Sequence, residues 1–157
     1  MRIALALLLV AAAPAGRETI GVFKTWGAFR DQSPARCFAI ARPVAAGRTR
    51  GGFASVATWP GRGLAGSLHI HLSRARDRSA PVTLSVGERR FQLVANTADA
   101  WAADAPSDRA IVAALRGGRS MSVEAVGEGG RPFADSYALA GAATAIDAAA
   151  LACAGRR

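Results

Sequence analysis

Two histidines, His69 and His71, have the residue type and spacing that come nearest to a chemical site in this chain. They are its only histidines, and Ile70 between them would place both on one face of an extended strand. Two imidazoles on one strand face can supply two of the ligands of a zinc site. The spacing does not select a third ligand among the nearby acidic residues Asp77, Glu88 and Asp99. Two solvated histidines on a polar strand face are the alternative interpretation.

Asp135 is a second candidate, because strand parity predicts that its carboxylate turns inward. It alternates with the apolar residues Phe133, Tyr137 and Leu139. A buried charge needs a partner. Three interpretations stay open: an arginine salt bridge, a functional acid, or a register in which a bulge turns the side chain outward.

The tryptophans Trp26, Trp59 and Trp101 could line a ligand groove, although large aromatic side chains also pack in the core or at its rim. The sequence contains no hydrolase nucleophile motif, phosphate-binding glycine loop or zinc-protease helix motif. No serine stands three residues before Lys24, the only lysine. We therefore predict no catalytic residue and no cofactor.

The N-terminus has the organisation of a secretory signal peptide. Met1 and Arg2 precede an apolar stretch from Ile3 to Ala13, and Ala13-Pro14-Ala15 offers small residues to a signal peptidase. This stretch is shorter than the roughly 20 residues of a membrane-spanning helix, and no later segment is long enough. We expect residues 1–15 to be a Sec signal, residues 16–157 to form one domain without a transmembrane segment, and the protein to be periplasmic or secreted in a Gram-negative bacterium.

The two cysteines, Cys37 and Cys153, lie near opposite ends of the expected mature chain. Export would place both in an oxidising compartment, where one disulfide is the simplest interpretation. A free buried thiol is an alternative. A nucleophilic cysteine is another, and it would need a histidine and an electropositive setting.

The formal net charge is +9, and of the 20 basic residues only one is a lysine. Such a charge can attract lipopolysaccharide, anionic lipid or nucleic acid. An arginine-rich composition also results from translation of a GC-rich genome, which would leave the charge without a function. The arginine clusters are short and lack interleaved aromatic residues, so we expect no nucleic-acid partner.

Short apolar runs between glycine-, proline- and arginine-rich turns predict a mainly β chain. The clearest strand is Ser67 to Ser73, where alternate residues are apolar. A turn at Gly87-Glu88 would pair Leu84 with Phe91 and Val82 with Leu93 in a hairpin. Further strands are predicted over residues 37–41, 53–59, 121–126 and 133–139, the last two forming a second hairpin.

Two helices are predicted. Ser107 can cap the first, which carries Ile111 and Leu115 and stops at Gly117-Gly118. The second is the alanine-rich run from Ala142 to Ala152, on which Ile146 and Cys153 would share a face. That face would turn Cys153 toward the strand that carries Cys37, so a disulfide would clamp helix to sheet.

Both ends of the expected mature chain resemble the invasion-associated locus B (IalB) family of exported alphaproteobacterial proteins. The N-terminal resemblance rests on Gly21-Val22-Phe23, Trp26-Gly27-Ala28-Phe29 and the strand Arg36 to Ile40. The C-terminal one rests on the strand Met121 to Glu124 and on Asp135 to Ala142, where family members turn into an alanine-rich helix and Ala142 replaces their usual Phe. The resemblance implies a compact β-sandwich with peripheral helices in the periplasm or outer envelope, and a link in some members to host-cell invasion. It implies no catalytic residues.

We therefore expect a compact antiparallel β-sandwich or barrel-like domain with two short helices, one of them C-terminal. The leading functional hypothesis is a non-enzymatic envelope or secreted protein that binds an envelope component or a host macromolecule, of anionic character if the charge is used. One alternative is a small periplasmic metal-dependent hydrolase that uses His69 and His71. Another is a small-ligand or lipid carrier whose tryptophans line the cavity. The sequence names neither the partner nor the oligomeric state.

Overall fold

A computed structural model describes residues 16–44 and 51–155, so the signal-peptide prediction for residues 1–15 lies outside the described residues. Within these ranges ten strands, two α-helices and one short 3-10 helix (Pro60–Arg62) are found. The strands are β1 (Glu18–Phe23), β2 (Trp26–Gln32), β3 (Ala35–Ala41), β4 (Phe53–Trp59), β5 (Leu64–His71), β6 (Val82–Val86), β7 (Arg89–Ala95), β8 (Asp99–Trp101), β9 (Ser120–Val126) and β10 (Pro132–Ala138). The helices are α1 (Ala105–Gly117) and α2 (Ala142–Ala154).

The strands form one antiparallel sheet in the order β1-β2-β3-β4-β5-β8-β7-β6-β9-β10. The sheet bends so that β10 returns to the start of β2, where the indole Nε1 of Trp26 donates to the carbonyl of Ala138 at 2.9 Å. The main-chain N–H of Val44 donates to the carbonyl of Ser136 at 2.8 Å. The expected mainly β, sandwich-like fold with two helices, one of them C-terminal, is confirmed.

The β6–β7 hairpin has the predicted register, with Leu84 opposite Phe91 and Val82 opposite Leu93. Gly87 in its turn has a φ of +57°, a conformation that glycine adopts without steric cost. The predicted β9–β10 hairpin is also present. These predictions are correct because the register of a hairpin depends only on the apolar alternation of two adjacent strands and on the residues of the turn between them.

Other boundaries need correction. Strand β5 begins at Leu64 and ends at His71, earlier than the predicted Ser67 to Ser73. Helix α1 is capped by Asp104, whose carboxylate accepts from the main-chain N–H of Ser107 at 2.7 Å, so Ser107 is not the cap. Strands β1, β2 and β8 have no counterpart among the predicted elements.

The core lies on the inner face of the sheet, which both helices cover at one end. Helix α2 packs against β2 and β3. Its residues Ile146 and Cys153 are both buried, as their shared helix face predicts. Cys153 forms the expected disulfide with Cys37 on β3, across 116 residues of sequence and with a Cα–Cα distance of 5.8 Å. The disulfide therefore clamps the C-terminal helix to the sheet.

Gly141 lets α2 begin against the β1–β2 turn. Its φ is +89°, and a β-carbon there would lie 1.9 Å from the carbonyl oxygen of Phe23. Only a glycine fits this close approach of two backbones. Neither α1 nor α2, the helices of the described part of the chain, is long and apolar enough to cross a lipid bilayer.

Candidate binding surface

The outer face of the sheet, opposite the helices, brings His69 and His71 together with residues from two neighbouring strands. On β8, Trp101 pairs with His69 and Asp99 pairs with His71. On β4, Phe53 pairs with His71. We call Phe53, His69, His71, Asp99 and Trp101 the histidine–aromatic cluster. Strict alternation along three adjacent strands places all five side chains on the outer face.

Asp99 binds both histidines through one carboxylate oxygen. Its Oδ1 lies 2.8 Å from Nε2 of His69 and 2.8 Å from Nδ1 of His71. Because an ionised carboxylate only accepts hydrogen bonds, these two ring nitrogens donate. Burial acts to raise the pKa of Asp99, but the hydrogen bonds from His71 and His69 outweigh it and the net pKa is lowered.

Aromatic stacking fixes the histidine rings from both sides. The ring of His69 stacks on Trp101 at a centroid distance of 5.5 Å and an interplanar angle of 6°. Phe53 stacks on His71 at 5.4 Å and meets the edge of His69 at 5.2 Å. Trp101 is 36% exposed, so the cluster presents an open aromatic surface to solvent.

One ring nitrogen of each histidine is bound to Asp99. Of the other two acidic candidates, Asp77 binds Ser79 in its own turn and Glu88 lies exposed in the β6–β7 turn. Across residues 16–44 and 51–155, no group of three or more His, Cys, Asp or Glu side chains is arranged to hold a metal ion. Zinc binding by His69 and His71 stays a prediction.

Ser55 lies opposite His69 on β4 but is not part of the histidine–aromatic cluster. Its hydroxyl donates to the main-chain carbonyl of His69.

An elongated groove continues from the cluster along the outer face of β1 to β4. It encloses about 1100 Å3. Phe53 lines it and also belongs to the cluster, so the two features form one surface. We call it the outer groove, and its lining residues are Arg17, Val22, Thr25, Gly27, Phe29, Ile40, Ala41, Arg42, Pro43, Val44, Gly51, Gly52 and Phe53. Among the described residues, the charged ones in this lining are both arginines, Arg17 and Arg42.

Arg17 is held at one side of the outer groove by an aspartate and by aromatic rings. Its guanidinium lies 5.0 Å from the ring centre of Phe38 and 2.9 Å from a carboxylate oxygen of Asp31. Hydrogen bonds from Arg17, and also from Arg36, lower the pKa of Asp31 despite its partial burial. These contacts fix Arg17 in position without removing it from solvent.

No protein-family model matches the chain, and no curated protein matches it. Among solved structures, the crystal structure of invasion associated protein B from Bartonella henselae matches over 83% of this chain and 94% of that one. The sequences are 20% identical, and the TM-score is 0.60. This chain has the fold of invasion associated protein B. The IalB resemblance of the two chain ends is therefore confirmed at the level of the fold.

Within this IalB-like fold the tryptophans occupy three different environments. Trp26 is fully buried in the core. The ring of Trp59 contacts the guanidinium groups of Arg36, at 5.2 Å, and Arg62, at 4.9 Å. Trp101 alone belongs to the histidine–aromatic cluster. The three rings do not line one common cavity.

Asp135 points into the IalB-like core and is only 5% exposed. Its carboxylate accepts hydrogen bonds from the main-chain N–H of Ser73, at 2.8 Å, and from the hydroxyl of Ser73. Among the described residues no arginine forms an ion pair with Asp135, and Ser73, which follows β5, supplies the hydrogen bonds that its carboxylate accepts. The inward parity also shows that no bulge turns this side chain outward.

Sequence reasoning missed Phe53 as a cluster member and could not choose Asp99 among the acidic candidates. A weak signal was available in Asp99-Ala100-Trp101, where a polar residue and a tryptophan flank a small apolar one. That alternation is typical of a short strand with one buried face. Its pairing with β5 could not be predicted, because β6 and β7 intervene in the sequence.

Proposed function

We propose that this chain is an exported, non-enzymatic protein of the bacterial envelope that binds an anionic glycolipid, lipopolysaccharide, on its outer sheet face. The signal-like N-terminus supports export, and so does the buried disulfide between Cys37 and Cys153, since such bonds persist in oxidising compartments. The likeness to invasion associated protein B supports the same fold and is consistent with this location.

The observation that carries the proposal is the charge of the outer groove. Among the described residues its lining includes Arg42 and also Arg17, which is paired with Asp31, and it includes no acidic side chain. Arg42 is exposed, and no carboxylate among the described residues lies within salt-bridge distance of it. A groove with an unneutralised guanidinium raises the local concentration of anionic groups such as phosphates. Arginine is also the side chain best suited to bidentate phosphate contacts.

Aromatic rings that solvent can reach lie on the same surface as Arg42. They favour a binding role for this surface over one in which its charge only keeps the protein in solution. Phe53 and Trp101 offer apolar faces in the same surface as the arginines, and Val94, opposite Trp101 on β7, is 57% exposed. Aromatic residues and arginine are enriched where proteins bind partners, because they combine a large contact area with directed polar groups. The apolar rings would contact sugar and acyl groups while the arginines bind phosphates.

The proposal can be tested with vesicles and the disulfide-bonded protein comprising residues 16–157. Co-sedimentation should show binding to phosphatidylcholine vesicles that contain lipopolysaccharide, and little binding to phosphatidylcholine alone. Added salt should weaken the binding. Arg42→Ala should reduce affinity roughly fivefold, since one basic residue near an anionic surface contributes on the order of 1 kcal/mol. Trp101→Ala should reduce it further.

Two matched variants control for general charge and exposed apolar area. Arg119→Ala removes the same charge outside the groove, and Leu151→Ala removes a 74% exposed apolar side chain from α2. Both should bind like the parent protein. Equal binding to neutral vesicles, or equal losses in the control variants, would contradict the proposal.

Export has a separate test. The full chain produced in a Gram-negative host should yield a periplasmic or secreted form that starts at Gly16, as measured by fractionation and N-terminal sequencing. A chain without residues 1–15 should stay in the cytoplasm with reduced cysteines. An uncleaved full chain in the cytoplasm would contradict export without bearing on lipopolysaccharide binding.

A further inference from the structure

A second, smaller cleft lies on the opposite side of the sheet from the outer groove. It is enclosed by α1, α2 and the inner face of β4 and β5, and its volume is about 320 Å3. The lining is mostly apolar, with one hydroxyl and two arginines: Val56, Thr58, Ala65, Gly66, Arg109, Val112, Ala113, Arg116, Ile146, Ala149 and Ala150. We call it the helix cleft.

The helix cleft is open because each helix is attached elsewhere and the side chains between them are short. The carboxylate of Asp108 on α1 accepts from the main-chain N–H of Leu68 on β5 at 2.7 Å. Helix α2 is attached to β3 by the disulfide. Between these attachments stand alanines of both helices and a glycine of β5. These side chains are too short to fill the space.

The charges at the helix cleft are unevenly neutralised. Arg116 forms an ion pair with Asp147 of α2. Arg109 lies two turns earlier on the same face of α1, and within the described ranges no carboxylate is within 4.0 Å of it. An apolar cleft therefore has one guanidinium available at its edge, which is the charge that an anionic head group would neutralise.

We propose that the helix cleft binds a small monoanionic amphiphile, of the class of medium-chain fatty acids. Its carboxylate pairs with Arg109, and its chain lies over Val56, Val112 and Ile146. A charge-assisted pair with a guanidinium fixes the head, and burial of the methylene groups supplies most of the affinity.

The size of the helix cleft sets the ligand class. Ligand clefts in proteins span roughly 300–1,000 Å3, and at about 320 Å3 this one stands at the lower end. One acyl chain of medium length fits such a volume, whereas a two-chain phospholipid does not. The lining carries one hydroxyl, that of Thr58, so an extended polar ligand such as a sugar would leave its own groups unpaired.

The proposal is tested by calorimetric titration of the delipidated, disulfide-bonded protein with decanoate and, separately, with decanol. Decanoate should bind at one site and more tightly than decanol. Arg109→Ala should weaken decanoate binding about tenfold and bring it close to that of decanol. Arg119→Ala, which removes an arginine just beyond α1, should leave decanoate affinity unchanged.

A steric variant tests the place of binding. Ala113 is exposed on α1 and lines the cleft, whereas Thr144 is exposed on α2 and does not line it. Ala113→Phe should abolish binding of both ligands, and Thr144→Phe, which adds a ring on the far side of α2, should leave both unchanged. Equal affinity of decanoate and decanol, absence of binding, or binding that survives Ala113→Phe would each overturn the proposal. None of these results bears on lipopolysaccharide binding at the outer groove.

Discussion

The inner and outer faces of the sheet each carry an aspartate, and the two carboxylates are satisfied in opposite ways. Asp135 on the inner face is 5% exposed and accepts both of its hydrogen bonds from Ser73. Asp99 on the outer face has a 27% exposed side chain, and a single oxygen serves both His69 and His71. The inner carboxylate joins two chain segments, while the outer one orients rings that solvent reaches.

The same difference distinguishes contacts that join distant parts of the chain from contacts that join only neighbouring strands. The inner face holds the disulfide and Asp135, and Gly141 lies at the start of α2. Each of the three joins parts of the chain far apart in sequence. The histidine–aromatic cluster joins neighbouring strands that the ladder of main-chain hydrogen bonds already holds. We therefore expect the cluster to contribute less to stability than the inner-face contacts, which makes it the better candidate for binding.

The largest expected effect is on the inner face. Replacing both Cys37 and Cys153 by alanine should lower the free energy of unfolding by about 4–5 kcal/mol, because the bond closes a loop of more than a hundred residues. Urea denaturation monitored by circular dichroism measures the loss. Reductant should reproduce it in the parent protein and have no effect on the double variant. An unchanged unfolding midpoint would contradict the clamp.

The two aspartates give the most direct comparison. Asp135→Ala should lower the free energy of unfolding by about 2 kcal/mol, because it leaves the half-buried donors of Ser73 unpaired. Asp99→Ala should cost less than about 1 kcal/mol, because its partners remain solvated. The lowered pKa of Asp99 sets the sign of the pH dependence. Its contribution is complete above about pH 4 and is lost as the pH falls through the lowered pKa.

Denaturation curves of the parent and Asp99→Ala proteins, taken at neutral and at acid pH, measure that difference. The curves should converge at acid pH. In the vesicle assay the larger effect should come from the outer-face variant. Asp99→Ala should impair lipopolysaccharide binding, while folded Asp135→Asn protein should bind normally. Equal stability losses from the two alanine variants would erase the distinction between the faces.

The smallest expected effect comes from Tyr137, which is fully buried beside Asp135. Its hydroxyl has no hydrogen-bond partner among the described residues. Tyr137→Phe should therefore leave the free energy of unfolding unchanged or raise it by about 1 kcal/mol. A loss above about 1 kcal/mol would show that the hydroxyl has a partner after all.

The same tyrosine predicts an alkaline effect. Burial, and secondarily the charge of Asp135, raise the pKa of Tyr137 well above its usual value. The folded state therefore disfavours the phenolate, and stability falls as the pH rises above about 10, where the unfolded tyrosine ionises. Denaturation at high pH should show a smaller fall for Tyr137→Phe than for the parent protein.

Features formed by residues close together in sequence could be predicted, whereas most features that join distant segments could not. The β6–β7 register depends on Gly87 and its flanking alternation, so it could be predicted residue by residue. The disulfide could be predicted because no other cysteine competes. The choice of Asp99 depends on β8 inserting beside β5 after an intervening hairpin, and no local pattern encodes that pairing.

The helix cleft escaped prediction for a related reason. The lining alanines of α1 and α2 are ordinary helix-forming residues in the sequence. Only the relative placement of the two helices makes their small size leave a space. Asp104 shows the opposite case, since an acidic residue three positions before Ser107 is a local capping signal that was available in the sequence.

The position of Cys153 in the final turn of the last helix also orders events during biosynthesis. A chain that emerges from its N-terminus exposes Cys37 early and its only partner 116 residues later. At roughly 5–20 residues per second, the first thiol waits for many seconds while strands β4 to β10 appear. In an oxidising compartment it would be open during that interval to a mixed disulfide with a thiol oxidase or with another chain. The disulfide therefore cannot close until helix α2 has appeared.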